Sequence, residues 1–229
     1  MIDSLRVRKY HDEFLKPLES MPSGSLVFEV AGGDGSDALK LLMRGITVVQ
    51  TDISIGMVCM AKTKLMPKYI DSSGFVVCDA ENLPCKDNTL DAIMIVAALH
   101  HLPSPSAFFI EAHRVLKPGG VLVIGFEPNT WQYKFVYPVL KKIRRLVSSK
   151  DADISSKASI GDQETNGFAM KHFKSFAAQS GLEIEEVQRI WYLNGFVHTV
   201  LGHINARKIG RAHVCTPVTQ WYLVCRLLL

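Results

Sequence analysis

Hydrophobic residues in this chain gather into short apolar runs of strand length, and these alternate with longer segments of helical spacing. Leu5 to Leu18 places Leu5, Phe14, Leu15 and Leu18 at loosely helical intervals and is followed by Pro22, Ser23 and Gly24, which predicts a leading helix and a turn. Ser25 to Ala31 (SLVFEVA) is a short apolar run entering GGDG, and Ser36 to Arg44 has helix-forming content that closes at Gly45. The same unit recurs. Ile46 to Thr51 is β-branched, Ser54 to Leu65 suits a helix, and Gly74 to Cys78 is a further short strand.

Leu90 to Ala97 (LDAIMIVA) is almost continuously apolar, as a central strand covered on both faces must be. Pro103 to Leu116 reads as a helix, LKPGG at 116 to 120 as a turn, and Val121 to Phe126 as a fifth strand. The alternation breaks at Glu127. An aromatic and basic stretch, Trp131 to Lys150, and a polar segment, Lys150 to Gly167, together predict a small lid over about 128–167. Phe168 to Ser180 then resumes as a helix closed by Gly181, and Leu182 to Tyr192 alternates like a strand. The fold class expected from this order is α/β, doubly wound, with a mostly parallel sheet and helices on both faces.

Length and composition narrow the function. With 229 residues, 48% of them hydrophobic, one well-buried core is expected, and the chain reads as a single domain over 1–207. No apolar run approaches the roughly 20 residues needed to span a bilayer. Met1 to Tyr10 carries Asp3 and Arg6 without a hydrophobic signal core, so a cytoplasmic location is expected. Cys59, Cys78, Cys85, Cys215 and Cys225 lack metal-ligand spacing and disulfide density, and the histidines outside positions 100 and 101 stand singly, so neither zinc nor disulfides are predicted. The net charge of +4 owes three cations to Lys208, Arg211 and Arg226; without them the balance is +1, which offers no electrostatic case for nucleic acid.

The last 22 residues stand apart. Ile209 to Thr219 (IGRAHVCTPVT) resembles one frame of a short-read sequencing adapter read through its stop codon at Cys215. Residues 208–229 are therefore separated from the domain as a tail of artefactual character, with the strand-like TQWYLVCRLLL keeping an evolved C-terminal strand as the alternative.

The chemistry lies in the order of acids and glycines relative to the strands. Glu29 ends the first strand, Gly32, Gly33 and Gly35 make its turn, Asp52 ends the second strand, and Asp79 follows the third. In a doubly wound sheet these positions share the carboxyl edge, where such folds bind ligands. A turn without side chains lets a ligand approach the backbone. Asp52 can accept two hydrogen bonds from ribose hydroxyls and Asp79 one from an adenine amino group. Glu29 places negative charge where an ammonium or sulfonium would be favoured.

On these residues the chain resembles the class I methyltransferases that use S-adenosylmethionine (SAM), of the methyltransferase type 11 kind. EVAGGDG at 29 to 35 is similar to their first motif, with Ala31 in place of its first glycine. TDIS at 51 to 54 is similar to the ribose-binding acid motif, CDAENLPCKDNTLDAIMIVAALHHL at 78 to 102 to the adenine-binding strand, loop and fourth strand, and HRVLKPGGVLVI at 113 to 124 to the turn into the fifth strand. The resemblance implies SAM as cofactor, with Glu29, Ala31, Gly32, Gly33 and Gly35 around its methionine part, Asp52 and Ile53 at the ribose end, Asp79 and the Ala80 backbone at the adenine, and Ala97 beneath the methionine moiety. The implied activity is methyl transfer to a small-molecule acceptor, with lipid- or quinone-like acceptors second.

Two other functions fit parts of the pattern. Gly33, Gly35 and Ala38 satisfy the dinucleotide fingerprint of an NAD-dependent oxidoreductase, which leaves Glu29, Asp79 and RVLKPGG unexplained. A methyltransferase-like binding subunit without turnover would keep the cofactor motifs. His100 and His101 follow the fourth strand, where a histidine can act as general base, although such a pair reads first as a structural feature of the loop. Trp131 to Arg145 mixes aromatic and basic residues, which suits a lid helix first and a membrane-surface contact second, since Pro138 interrupts it.

Overall fold

The computed structural model describes residues 14–22, 24–130, 134, 167–190 and 220–227. Seven strands form one sheet in the order β3-β2-β1-β4-β5-β7-β6. They are β1 (Leu26–Val30), β2 (Thr47–Asp52), β3 (Ser73–Val77), β4 (Leu90–Val96), β5 (Leu116–Pro128), β6 (Glu183–Ile190) and β7 (Gln220–Arg226). The five strands from β3 to β5 run parallel, and β7 is antiparallel to both its neighbours. The helices are α1 (Ser36–Leu42), α2 (Ile55–Tyr69), α3 (Pro105–Val115) and α4 (Met170–Ser180), with residues 14–19 also helical.

Alternation along the strands divides the core in two. Phe28, Val30, Ile93, Ile95, Leu122 and Ile124 face one side and pack against Phe108 and Phe109 of α3 and Phe173 of α4. Val27, Val48, Ala92, Met94, Val121 and Val123 face the other and meet Phe14, Leu15 and Leu18, Leu41 and Leu42 of α1, and Leu65 of α2. Each such side chain stabilises the fold by about 1.5–3 kcal/mol when fully buried, so both helical layers are tied firmly to the sheet. The helix after β1 lies on one face and the helix after β4 on the other, which makes the gap between β1 and β4 the topological switch point.

Three features differ from, or add to, the pattern read along the chain. LKPGG is the start of β5 rather than a separate turn: Leu90 pairs with Leu116, the register shifts before Ala92, and the N–H of Gly119 (φ 78°) donates to Leu227 O, just past β7, while Leu227 N–H donates to Gly120 O. Residues 220–226 of the segment set apart form β7, between β5 and β6, while 209–219 lie outside the described residues. Most of the expected lid, including Trp131 to Arg145 except Lys134, also lies outside them. Its two ends are described, and they are clasped together. Phe168 N–H donates to Pro128 O at 2.7 Å, Thr130 N–H to Phe168 O at 3.0 Å, and the Thr130 hydroxyl to Gly167 O at 2.8 Å.

Candidate functional site

The glycine turn after β1 is shaped by what lies beneath it. Glu29 is 1% exposed, and a Cβ on Gly32 would stand 2.5 Å from Glu29 Oε2, so any side chain there would have to displace that carboxyl. Ala31 (φ 52°), Gly33 (φ 55°) and Gly35 (φ 73°) all adopt the left-handed conformation, which explains why glycine suits position 31 and what alanine costs there. A Cβ on Gly33 would meet nothing within 4 Å, so the turn is open at that residue. Gln50 Nε2 donates to Gly33 O at 2.9 Å, and the Thr51 hydroxyl donates to Glu29 O at 2.9 Å. Asp34 completes the turn by accepting from the Ser36 N–H and hydroxyl and from Lys64 on α2, and these hydrogen bonds hold its carboxyl below the usual range.

Asp52 is brought directly to this turn. Its Oδ2 accepts from Gly33 N–H at 3.0 Å and its Oδ1 from Ser54 N–H at 2.8 Å. Each oxygen therefore spends one lone pair on the backbone and keeps another. Asp79 stands beside it, because β3 pairs with β2 up to Asp52 and Cys78 N–H donates to Asp52 O at 3.2 Å. Asp79 Oδ1 accepts from Glu81 N–H at 2.9 Å, and Ala80 is buried. Ile53 is 72% exposed, an apolar side chain left in solvent next to Asp52.

Glu29 Oε2 is buried with no hydrogen-bond partner. Burial raises the Glu29 pKa well above the usual carboxylate range; Asp37 and Asp34 add to this, and the Ala38 amide and Lys40 oppose it. A cation arriving above the turn would find here a carboxyl able to ionise in response.

On the other side of the switch point, Ala97 follows β4 in the left-handed region (φ 50°) and its N–H donates to Gly125 O at 2.8 Å. The register that pairs Val30 with Ile95 sets Ala97 opposite the glycine turn. His100 is buried, whereas His101 is exposed and its ring lies 3.9 Å from that of His100. Glu127, absent from the residues singled out by sequence, closes β5 fully buried and contacts His100 Nδ1 at 2.8 Å. A buried acid ending an apolar strand must find donors, but these come from a loop that only the β4–β5 pairing brings to it.

Behind the site, Arg114 of the RVLKPGG motif donates to the carbonyls of Leu83 and Cys85 and pairs with Glu111 and Asp87. Glu111 in turn accepts from Leu83 N–H, so this motif braces the loop that carries Asp79 and Ala80. Among the described residues no cluster of His, Cys, Asp or Glu has the geometry to hold a metal ion.

The sheet order, the switch-point glycine turn and the acids closing β1 and β2 define a class I methyltransferase fold. Residues 28–124 match the family model described as a methyltransferase domain. The ubiquinone/menaquinone biosynthesis C-methyltransferase UbiE of Acidiphilium cryptum is 34% identical over 115 residues, covering 49% of this chain and 46% of that protein. The demethylmenaquinone methyltransferase of Streptomyces avermitilis is 32% identical over 149 residues, 62% of each. A crystal structure of a methyltransferase from Bacillus halodurans superposes with a TM-score of 0.64 at 18% identity, covering 96% of this chain and 99% of that one. The chain spans between about half and just under two thirds of the length of these curated relatives.

Proposed function

We propose that this chain transfers a methyl group from SAM to a small-molecule acceptor of the hydroquinone class. The observation that carries the cofactor assignment is the Asp52 carboxylate. Main-chain donors fix both of its oxygens at the sheet edge, and each oxygen keeps a lone pair with which to accept from a vicinal diol such as ribose. The neighbouring residues fit the rest of the cofactor. Glu29 Oε2 lies unpartnered beneath a turn that is open at Gly33, which suits a cationic group crossing that turn. In this reading Ala31, Gly32, Gly33, Gly35 and Ala97 border the methionine part, Ile53 gives the nucleoside an apolar surface, and Asp79 with the Ala80 backbone takes the adenine edge.

When bound, SAM supplies a methyl already activated by its sulfonium. The chain supplies position. Asp52 orients the cofactor from one side of the switch point and the turn from below. The acceptor class rests on the relatives, one named a ubiquinone/menaquinone biosynthesis C-methyltransferase and the other a demethylmenaquinone methyltransferase. Work on a small molecule in the cytoplasm is consistent with a chain in which no described helix is long and apolar enough to cross a membrane.

Calorimetric titration of the full chain with SAM, its demethylated product and NAD tests the cofactor. SAM and product should bind and NAD should not; binding of NAD alone would overturn the reading. The acceptor is tested by mass spectrometry of a short-chain demethylmenaquinone, kept reduced, after incubation with SAM. Binding of SAM without transfer to any acceptor would support the non-catalytic alternative.

A further inference from the structure

We propose that His100 takes the acceptor's proton during methyl transfer and that Glu127 is the residue that positions it, a role that rests on the methyl-transfer reading above. Glu127 Oε1 accepts from the N–H groups of Ala98 and Leu99 at 2.9 and 2.8 Å. Its Oε2 accepts from the His100 N–H at 3.1 Å and meets His100 Nδ1 at 2.8 Å. Four donors thus occupy the four lone-pair sites of a carboxylate that is 0% exposed. Three main-chain donors already anchor the 98–100 turn to the end of β5. The fourth contact falls on a ring nitrogen, and it decides the tautomer: a carboxylate only accepts, so Nδ1 carries the proton and Nε2 carries the lone pair.

Placement agrees with this chemistry. His100 lies three residues beyond Ala97, at the end of β4, and Glu127 lies at the end of β5, both across the switch point from Asp52 and Asp79. The clasp at 128–130 and 167–168 begins at the residue after Glu127, so the dyad sits at the root of the inserted segment. The adjacent His101 ring, tilted 44° against that of His100, restricts its plane.

The step conserves atoms and electrons. The acceptor's hydroxyl O–H bond breaks, its proton goes to Nε2, and the electron pair is delivered through the ring to the carbon that bonds the methyl. The methyl–sulfur bond breaks with its pair left on sulfur, which becomes a neutral thioether. The methylated carbon then loses its hydrogen by tautomerisation that restores the hydroxyl. The imidazolium, held against Glu127, returns its proton to water. Glu127 changes neither its bonds nor its charge.

His100→Asn keeps a donor at the position of Nδ1 and has nothing at Nε2, so it separates the two nitrogens. It should bind SAM with nearly wild-type affinity in calorimetry, while transfer to reduced short-chain demethylmenaquinone falls about 10²–10⁴-fold. Near-wild-type transfer by His100→Asn would overturn the proposal. A second measurement needs no variant and no turnover. In nitrogen-15 spectra of histidine-labelled wild-type protein, the His100 Nδ1 should be protonated and Nε2 pyridine-like, and Glu127→Gln should mix the tautomers; a proton on Nε2 of the neutral wild-type ring would overturn the assignment. If the wild type binds SAM but leaves this acceptor unmethylated, the hydroquinone reading fails, and the tautomer still decides the His100 assignment.

Discussion

At the scale of single residues, Asp52 carries the sharpest expectation. Asp52→Ala removes the two charged acceptors proposed for ribose, each worth about 1.5–3 kcal/mol, so SAM affinity should fall at least about 100-fold in calorimetry. Because the same oxygens accept from Gly33 and Ser54 N–H, Asp52→Asn, which retains one acceptor oxygen, should lose less. Near-normal affinity in the alanine variant would refute the assigned pose. Glu29 gives a prediction in pH. Its folded pKa is raised, chiefly by burial, so the neutral form contributes stability that is fully present below the ordinary carboxylate pKa and is lost as pH rises through the raised value. Glu29→Gln cannot ionise. Urea midpoints measured from acid to mildly alkaline pH should therefore decline in the wild type relative to Glu29→Gln, and parallel curves would show that Glu29 does not titrate in this way. Most of these residues were legible in the sequence, because an acid or glycine at the end of an apolar run declares its place on the sheet edge. Glu127 was not, since its four donors come from a loop 27 to 29 residues away, and only the β4–β5 pairing brings the two together.

At the scale of elements, the packing of α2 against the glycine turn links fold to site. Gly35 is left-handed, and a Cβ there would lie 2.8 Å from Leu65 Cδ1 and 3.1 Å from Ala61 Cβ. Gly35→Val should cost roughly 2–5 kcal/mol, combining left-handed strain with overpacking, and it should lower the urea midpoint. It should also weaken SAM binding, because α2 begins at the Ser54 cap whose N–H holds Asp52. Unchanged stability would show that the contact relaxes freely. The five parallel strands were readable from their apolar runs, since strands covered on both faces tolerate few polar residues. The start of β5 was misplaced because LKPGG has the composition of a turn, and what makes it strand is pairing with Leu90 and with the end of β7.

At the scale of the whole molecule, β7 decides whether the far half of the sheet exists. Leu223 and Cys225 are buried in one core and Val224 in the other, so this strand is packed on both faces as well as paired on both edges. Burial pushes the Cys225 thiol up to about 12, which leaves it inert as a nucleophile. Its strand-like composition was visible in the sequence. Its place was not, because the last strand enters between β5 and β6, and no local pattern encodes an order that departs from the order of the chain. Cutting the chain after Arg207 would remove β7, strip β5 of a neighbour from Val121 to Pro128 and leave β6 with no partner among the described strands. An unpaired, apolar β5 edge and the uncovered faces of α3 and α4 cannot be satisfied by water at low cost. The truncated chain should therefore lose its cooperative thermal transition and bind a hydrophobic dye, while the full chain melts in one transition. A truncated chain that melts cooperatively near the full-length temperature would mean that the five parallel strands and their helices hold the fold without β7, and that the proposed cofactor site on β1 to β5 and their loops stands independently of it.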